Sequence, residues 1–91
     1  MARNFRAAGA EIDLIAAEGE TIVFIEVKTR LGAAAGRPEE AVDGRKQERI
    51  RRAAQIYLSR HRAHDRPIRF DVVAISGRGR ERRVELFRDA F

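Results

Sequence analysis

The stretch from Thr21 to Arg30, TIVFIEVKTR, is apolar on both of the faces that an extended chain presents. Val23, Ile25 and Val27 fall on one side and Ile22 and Phe24 on the other, because successive side chains of a strand alternate. Such a strand has to be covered on both sides, which places it inside a layered sheet. The second face nevertheless runs on into Glu26 and Lys28. Buried charge without a partner is costly, so these two residues require compensation by ion pairing, hydrogen bonds or a bound cation.

The preceding run, Ala10 to Ala17, alternates with Ile12, Leu14 and Ala16 on one face and Glu11, Asp13 and Ile15 on the other. Glu18-Gly19-Glu20 supplies a turn, so an antiparallel hairpin is the simplest connection between the two strands. In register, Asp13 lies beside the Glu26 and Lys28 pair, whose members are about 6.6 Å apart along one face. After Arg30 the spacing predicts a loop with Gly32, Gly36 and Pro38, with one helical turn in PEEAV. Asp43 reads as an N-cap. From Gly44 to about Arg62, Ile50, Ala53, Ala54, Tyr57 and Leu58 form one apolar helix stripe, with Arg45, Lys46, Arg49, Arg52 and Arg60 mainly off it.

Ile68 to Ile75 is a further strand, SGRGR a turn, and Val84 to Phe87 a short last strand; Asn4 to Ala7 adds an edge strand at the start. A helix falling between strands predicts an α/β fold. It would be a mixed central sheet of four to five strands with one long crossover helix, which permits the Thr21 and Ile68 strands to run parallel. Ninety-one residues fit one domain, 1–91, with one modest core.

Without cysteine there is neither a disulfide framework nor a thiolate metal site. Two carboxylates, Asp13 and Glu26, with a backbone carbonyl and waters suit a hard cation, Mg²⁺ or Mn²⁺. Lys28 beside such an ion would orient or help deprotonate an attacking water and offset charge developing on a phosphoryl group. Lysine and arginine outnumber acids by 19 to 14, a net charge of +5, and 17 of the 19 are arginine. Arginine's planar fork matches phosphate, so nucleic acid is the partner that this surface suggests, although arginine-rich usage equally follows from G+C-rich coding. No apolar run is long enough to span a bilayer and the N-terminus has no signal-peptide core, so the chain is expected in the cytoplasm with no membrane partner.

The spacing Asp13, then Glu26-Val27-Lys28, resembles the PD-(D/E)xK nuclease superfamily with its restriction-endonuclease-like core. More closely, NFRAAGAEIDLIAAEGETIVFIEVKTR, PEEAVDGRKQERIRRAA, RFDVVAI and the terminal DAF resemble the YraN family, small bacterial proteins similar to archaeal Holliday-junction resolvases. An Asp and an E-x-K alone are weak signals; the ordered combination over nearly the whole chain is specific. The resemblance implies a metal-dependent endonuclease acting on DNA, including branched or structured DNA. It assigns Asp13 and Glu26 as metal-binding carboxylates and Lys28 as the catalytic lysine. The Val27 carbonyl becomes a third protein ligand, and Glu11, which stands at the family's GGEIDL glutamate although Ala10 replaces the second Gly, is a further candidate metal ligand. Gln47 corresponds to a helix Gln that contacts the site in some superfamily members. Arg30, Arg45, Lys46, Gln47 and Arg49 are the expected nucleic-acid contacts.

The family pattern also begins with one more helix, carrying a Glu that joins the site, and this chain starts after it. Its removal is expected to expose Ile12 and Leu14 or Val23 and Ile25, with self-association as a homodimer covering them. Competing readings of the same residues are an ion-pair network on an inactive scaffold, or a non-catalytic nucleic-acid-binding or interaction module. Asp71 is expected to pair with an arginine, Tyr57 to belong to the core, and His61 and His64 to form a solvated helix end.

Overall fold

Among the described residues, the period-two runs form five strands and the 3.6-period run forms one helix. The computed structural model describes residues 1–30 and 43–91, with the side chain of Arg30 left out. In chain order the elements are β1 (Ala2–Ala7), β2 (Ala10–Glu18), β3 (Thr21–Arg30), α1 (Gly44–Arg60), β4 (Ile68–Ser76) and β5 (Arg83–Phe87). A 3-10 turn at Gly79–Glu81 precedes β5. The expected loop through Gly32, Gly36 and Pro38 and the turn in PEEAV lie outside the described residues. Among the described residues, no helix is long and apolar enough to cross a membrane.

The sheet order is β1-β2-β3-β4-β5. β1, β2 and β3 pair antiparallel, β3 and β4 parallel, and β4 and β5 antiparallel. A parallel pair needs a crossover, and α1 lies within that connection. The architecture is therefore the mixed α/β sheet with one crossover helix that the sequence pattern predicts.

Ile50, Ala53, Ala54, Tyr57 and Leu58 are the buried residues of α1. They pack in one cluster with Ile15, Ile22, Phe24, Phe70 and Val72 of the sheet. Two fully buried alanines let the helix backbone approach closely, while the aromatic rings fill the remaining depth. Phe24 meets Tyr57 edge-on at 6.0 Å and stacks on Phe70 at 5.4 Å. Each such side chain contributes about 1.5–3 kcal/mol by leaving water. Tyr57 is core, as expected.

Asp43 caps α1, its side chain accepting from the Lys46 N–H at 2.9 Å, as an N-cap Asp does for the third helical amide. At the other end Arg62 adopts φ 51, and the Arg62 and Ala63 amides bond back to Ser59 and Leu58. This is the Schellman arrangement with arginine where glycine is usual. His61 and His64 are exposed there, with the His61 ring 4.1 Å from that of Tyr57.

The alternation expected in β2 fails at Asp13. Ile12 and Ile15, three residues apart, are both buried in the core, whereas Leu14 is exposed. The partner strand does the same: Ala2 and Phe5, also three apart, pack against that core. Between them Asn4 has φ 54, and the ladder skips from Arg3↔Leu14 to Phe5↔Ile12. The register is the same on both sides of this gap; the left-handed residue, which Asn tolerates, re-aims the side chains of β1 at Asn4, and β2 is re-aimed at Asp13 opposite it. Counting by twos therefore placed Ile12 with Leu14 wrongly. Of the residues expected to be uncovered, Ile12 and Val23 are buried, whereas Leu14 is exposed and with Ile25 and Met1 lines a shallow apolar groove.

On the sheet face away from α1, Asp71 is 1% exposed. Its carboxylate accepts from Arg69 Nε at 2.8 Å and Nη2 at 3.0 Å and from the Asp89 N–H at 2.9 Å, which is the structural pairing expected of it. The terminal residues are held to β4 by this bond and by Ala90 N–H to the Phe70 carbonyl. Phe91 stacks on Phe70 at 5.1 Å.

Candidate active site

The β2–β3 ladder closes at Leu14↔Ile25, one residue short of Asp13. There the Asp13 carboxylate takes the place of a ladder carbonyl: its Oδ2 accepts from the Val27 N–H at 2.7 Å. The bond is short, as charge-assisted bonds are, and it fixes the carboxylate in the gap between the strands. In an extended strand the N–H and C=O of one residue leave on the same side, so the Val27 carbonyl faces that gap too.

Glu26 stands on the α1 side of β3, opposite Val72 of β4, and is 8% exposed. A carboxylate so buried needs positive partners, since the desolvation cost amounts to several kcal/mol. Two ammonium groups serve. Lys46 Nζ lies 2.9 Å from Oε1 and Lys28 Nζ 3.9 Å from the same oxygen. Lys28 is held below the ordinary lysine value by its hydrogen bond with Lys46, by partial burial and by the Lys46 charge, against the pull of Glu26 and Asp13. Lys46 moves the other way. Burial works against its charge, but its bonds to Lys28 and Glu26 outweigh that and hold it above the ordinary value. Lys28 is thus the more easily neutralised of the two.

Asp13 and Glu26 line one cavity of about 380 Å³, together with Glu11, Asp43, Lys46 and Arg49. Lys28 is not part of its lining and approaches Glu26 from beside it. Glu11 pairs across the ladder with Arg6 at 3.5 Å. Asp13, Glu26 and the Val27 carbonyl fit a hard divalent cation in kind, because Mg²⁺ takes one or two carboxylates and keeps several waters. Among the described residues no group of three or more His, Asp or Glu side chains is placed to hold a metal ion.

Of the expected nucleic-acid contacts, Arg45 and Arg49 are exposed on the first turns of α1 and, with Glu48 and Arg52, line a second, shallow surface that shares Arg49 with the cavity. Gln47 is half-buried, three residues before Ile50 on the covered side. Arg30 has its backbone in β3 opposite Ser76. Lys46 departs from its expected place on the outer helix face, because its side chain turns inward to Glu26. The signal was available in the sequence. Lys46 precedes Ile50, Ala53, Ala54 and Tyr57 by four, seven, eight and eleven residues, so it extends the buried stripe by one turn.

A model of the family described as "Uncharacterised protein family UPF0102" matches residues 1–75. The chain belongs to UPF0102. It is similar to a UPF0102 protein of Rhodococcus opacus (strain B4), 51% identical over 90 residues that make up 98% of this chain and 76% of that relative. A UPF0102 protein of Moorella thermoacetica is 50% identical over 91 residues, again 98% and 76%. One from Symbiobacterium thermophilum is 47% identical over 92 residues, 100% of this chain and 78% of the relative. The UPF0102 match spans β1 to β4, and with them Asp13, Glu26, Lys28, Lys46 and Arg49.

Proposed function

We propose that this UPF0102 chain is a divalent-cation-dependent endonuclease acting on DNA in the cytoplasm, on a restriction-endonuclease-like core with which its mixed sheet is compatible. The observation that carries the reading is the convergence of Asp13 and Glu26, from adjacent antiparallel strands, on one cavity beside a lysine of lowered proton affinity. Asp13 and Glu26, with the Val27 carbonyl, would hold Mg²⁺ or Mn²⁺; the bound cation would supply Lewis-acid polarisation of a phosphoryl oxygen. Lys28, more easily neutralised than an ordinary lysine, takes the proton of the attacking water. Arg45 and Arg49, at the cavity rim and on the helix surface beyond it, hold flanking phosphates through charge-assisted bonds.

A cleavage assay on single-stranded, duplex, flap and four-way-junction DNA with Mn²⁺ tests this. Product is expected from at least one substrate, abolished by a chelator and reduced about 10²- to 10⁴-fold by Lys28→Ala, the range for a group acting in proton transfer. Product formed equally by wild type and Lys28→Ala would overturn the reading.

A second reading, a non-catalytic nucleic-acid-binding module, is favoured by the contact between Lys46 and Glu26, which already neutralises the carboxylate without a metal. It expects salt-sensitive DNA binding with no cleavage on any substrate.

A further inference from the structure

We propose that Lys46 is the resident counter-ion of Glu26, which a divalent cation must displace, so that this helix lysine sets the affinity of the site for metal. The inference rests on the cation-dependent reading above and adds to it a residue with a defined antagonistic role.

Glu26 is 8% exposed and its closest ammonium group is that of Lys46, 2.9 Å from Oε1. A cation bound to the same oxygen at about 2.1 Å would lie within about 5 Å of that ammonium group. At that separation in a partly buried cavity the repulsion between a divalent ion and an ammonium group is strong and poorly screened. That repulsion opposes keeping both cations on Glu26 Oε1. The lysine is the one built to leave, because its side chain is 37% exposed whereas that of Lys28 is 26% exposed. Lys28 is also tied to the sheet interior, on β3 opposite Ala74. The backbone at Lys46 need not move, since the Asp43 cap fixes its N–H at 2.9 Å; only the four-carbon stem has to swing away from Glu26 and out of the cavity that it lines, towards solvent. Without metal the contact serves a purpose, because it prevents a buried carboxylate from standing uncompensated.

The test measures Mn²⁺ binding to the full chain by isothermal titration calorimetry, for wild type, Lys46→Met, Lys46→Arg, Glu26→Gln and the Lys46→Met/Glu26→Gln double variant. Lys46→Met is expected to bind Mn²⁺ about tenfold more tightly than wild type, within the range by which residues supporting a metal site alter affinity. Lys46→Arg, which keeps the charge, is expected to stay close to wild type, and Glu26→Gln to abolish binding in both backgrounds. A purely structural lysine would not raise metal affinity when removed. Glu26-dependent binding with no gain in Lys46→Met overturns the counter-ion role and leaves the endonuclease reading standing. Absence of Glu26-dependent binding in both backgrounds overturns both. A gain in affinity without cleavage by any variant sustains the counter-ion role and removes the endonuclease. Should Lys46→Met fail to fold, a Mg²⁺ titration of the wild type followed by NMR decides. The Lys46 side-chain ¹³Cε–Hε signal is expected to move towards that of a solvated lysine, and an unchanged signal at saturating Mg²⁺ overturns the proposal.

Discussion

Glu26 is the residue around which the other charges are arranged. The hydrogen bond to Lys28 and the Glu26 carboxylate hold Lys46 above the ordinary lysine value against burial, while Lys28 falls below it, and the two shifts act on stability with opposite signs. A raised lysine contributes stability that is full below its unfolded value and is lost as pH rises through the folded one; the lowered Lys28 opposes folding at lower pH, and that opposition is relieved as pH climbs. Because the chain has only these two lysines, their effect can be isolated. Lys46→Met is expected to cost about 1–2 kcal/mol at pH 8, less than a fully buried pair because the lysine is partly solvated. Chemical denaturation at pH 8 and pH 11 should show this gap full at the lower pH and closing at the higher. A gap independent of pH would mean that the Lys46 charge is not what supports Glu26.

At the scale of the elements, α1 and β3 were legible because their periods are long and regular. The stripe from Ile50 to Leu58, the Asp43 cap and the two apolar faces of β3 follow from spacing alone. The inversion of β2 was not legible, because it is made jointly by Asn4 in a left-handed conformation and by Asp13 bonding to Val27 across the ladder. Neither event alters the count of residues, and only pairing between strands expresses it. Lys46 was misplaced for a different reason: a charged residue at a buried stripe position was assigned to the solvent face by type and not by position. The C-terminal end of α1 supplies a prediction. Arg62 occupies a left-handed position that glycine adopts without steric cost, and Gly is the usual residue there. Arg62→Gly is expected to stabilise the protein by about 0.5–1 kcal/mol, after the left-handed penalty of 1–2 kcal/mol is offset by glycine's larger chain entropy. Thermal unfolding followed by circular dichroism measures it, and a fall in midpoint would show that the Arg62 side chain contributes contacts outweighing its backbone cost.

For the whole molecule, the mixed sheet and α1 bring the acidic cavity and the arginines of the helix surface to one end of the fold, where a negatively charged polymer would meet both. The net charge of +5 would give such a polymer a general attraction, and in the proposed reading Arg45 and Arg49 localise it. Each is expected to contribute about one phosphate contact, so Arg45→Ala and Arg49→Ala should each weaken DNA binding across sequences and flatten the slope of log affinity against log salt by about one. Fluorescence anisotropy over a salt series reads that slope; an unchanged slope in both variants would place the DNA elsewhere on the surface. The cation proposed for Asp13 and Glu26 is the more central matter, since every role proposed for Lys28, Lys46 and the arginines is organised around it. Electron paramagnetic resonance of free Mn²⁺, titrated with wild type, Asp13→Asn and Glu26→Gln, tests it most directly. The account predicts one saturable site in the wild type that both substitutions remove, whereas binding that survives both, or no binding in the wild type, would contradict it.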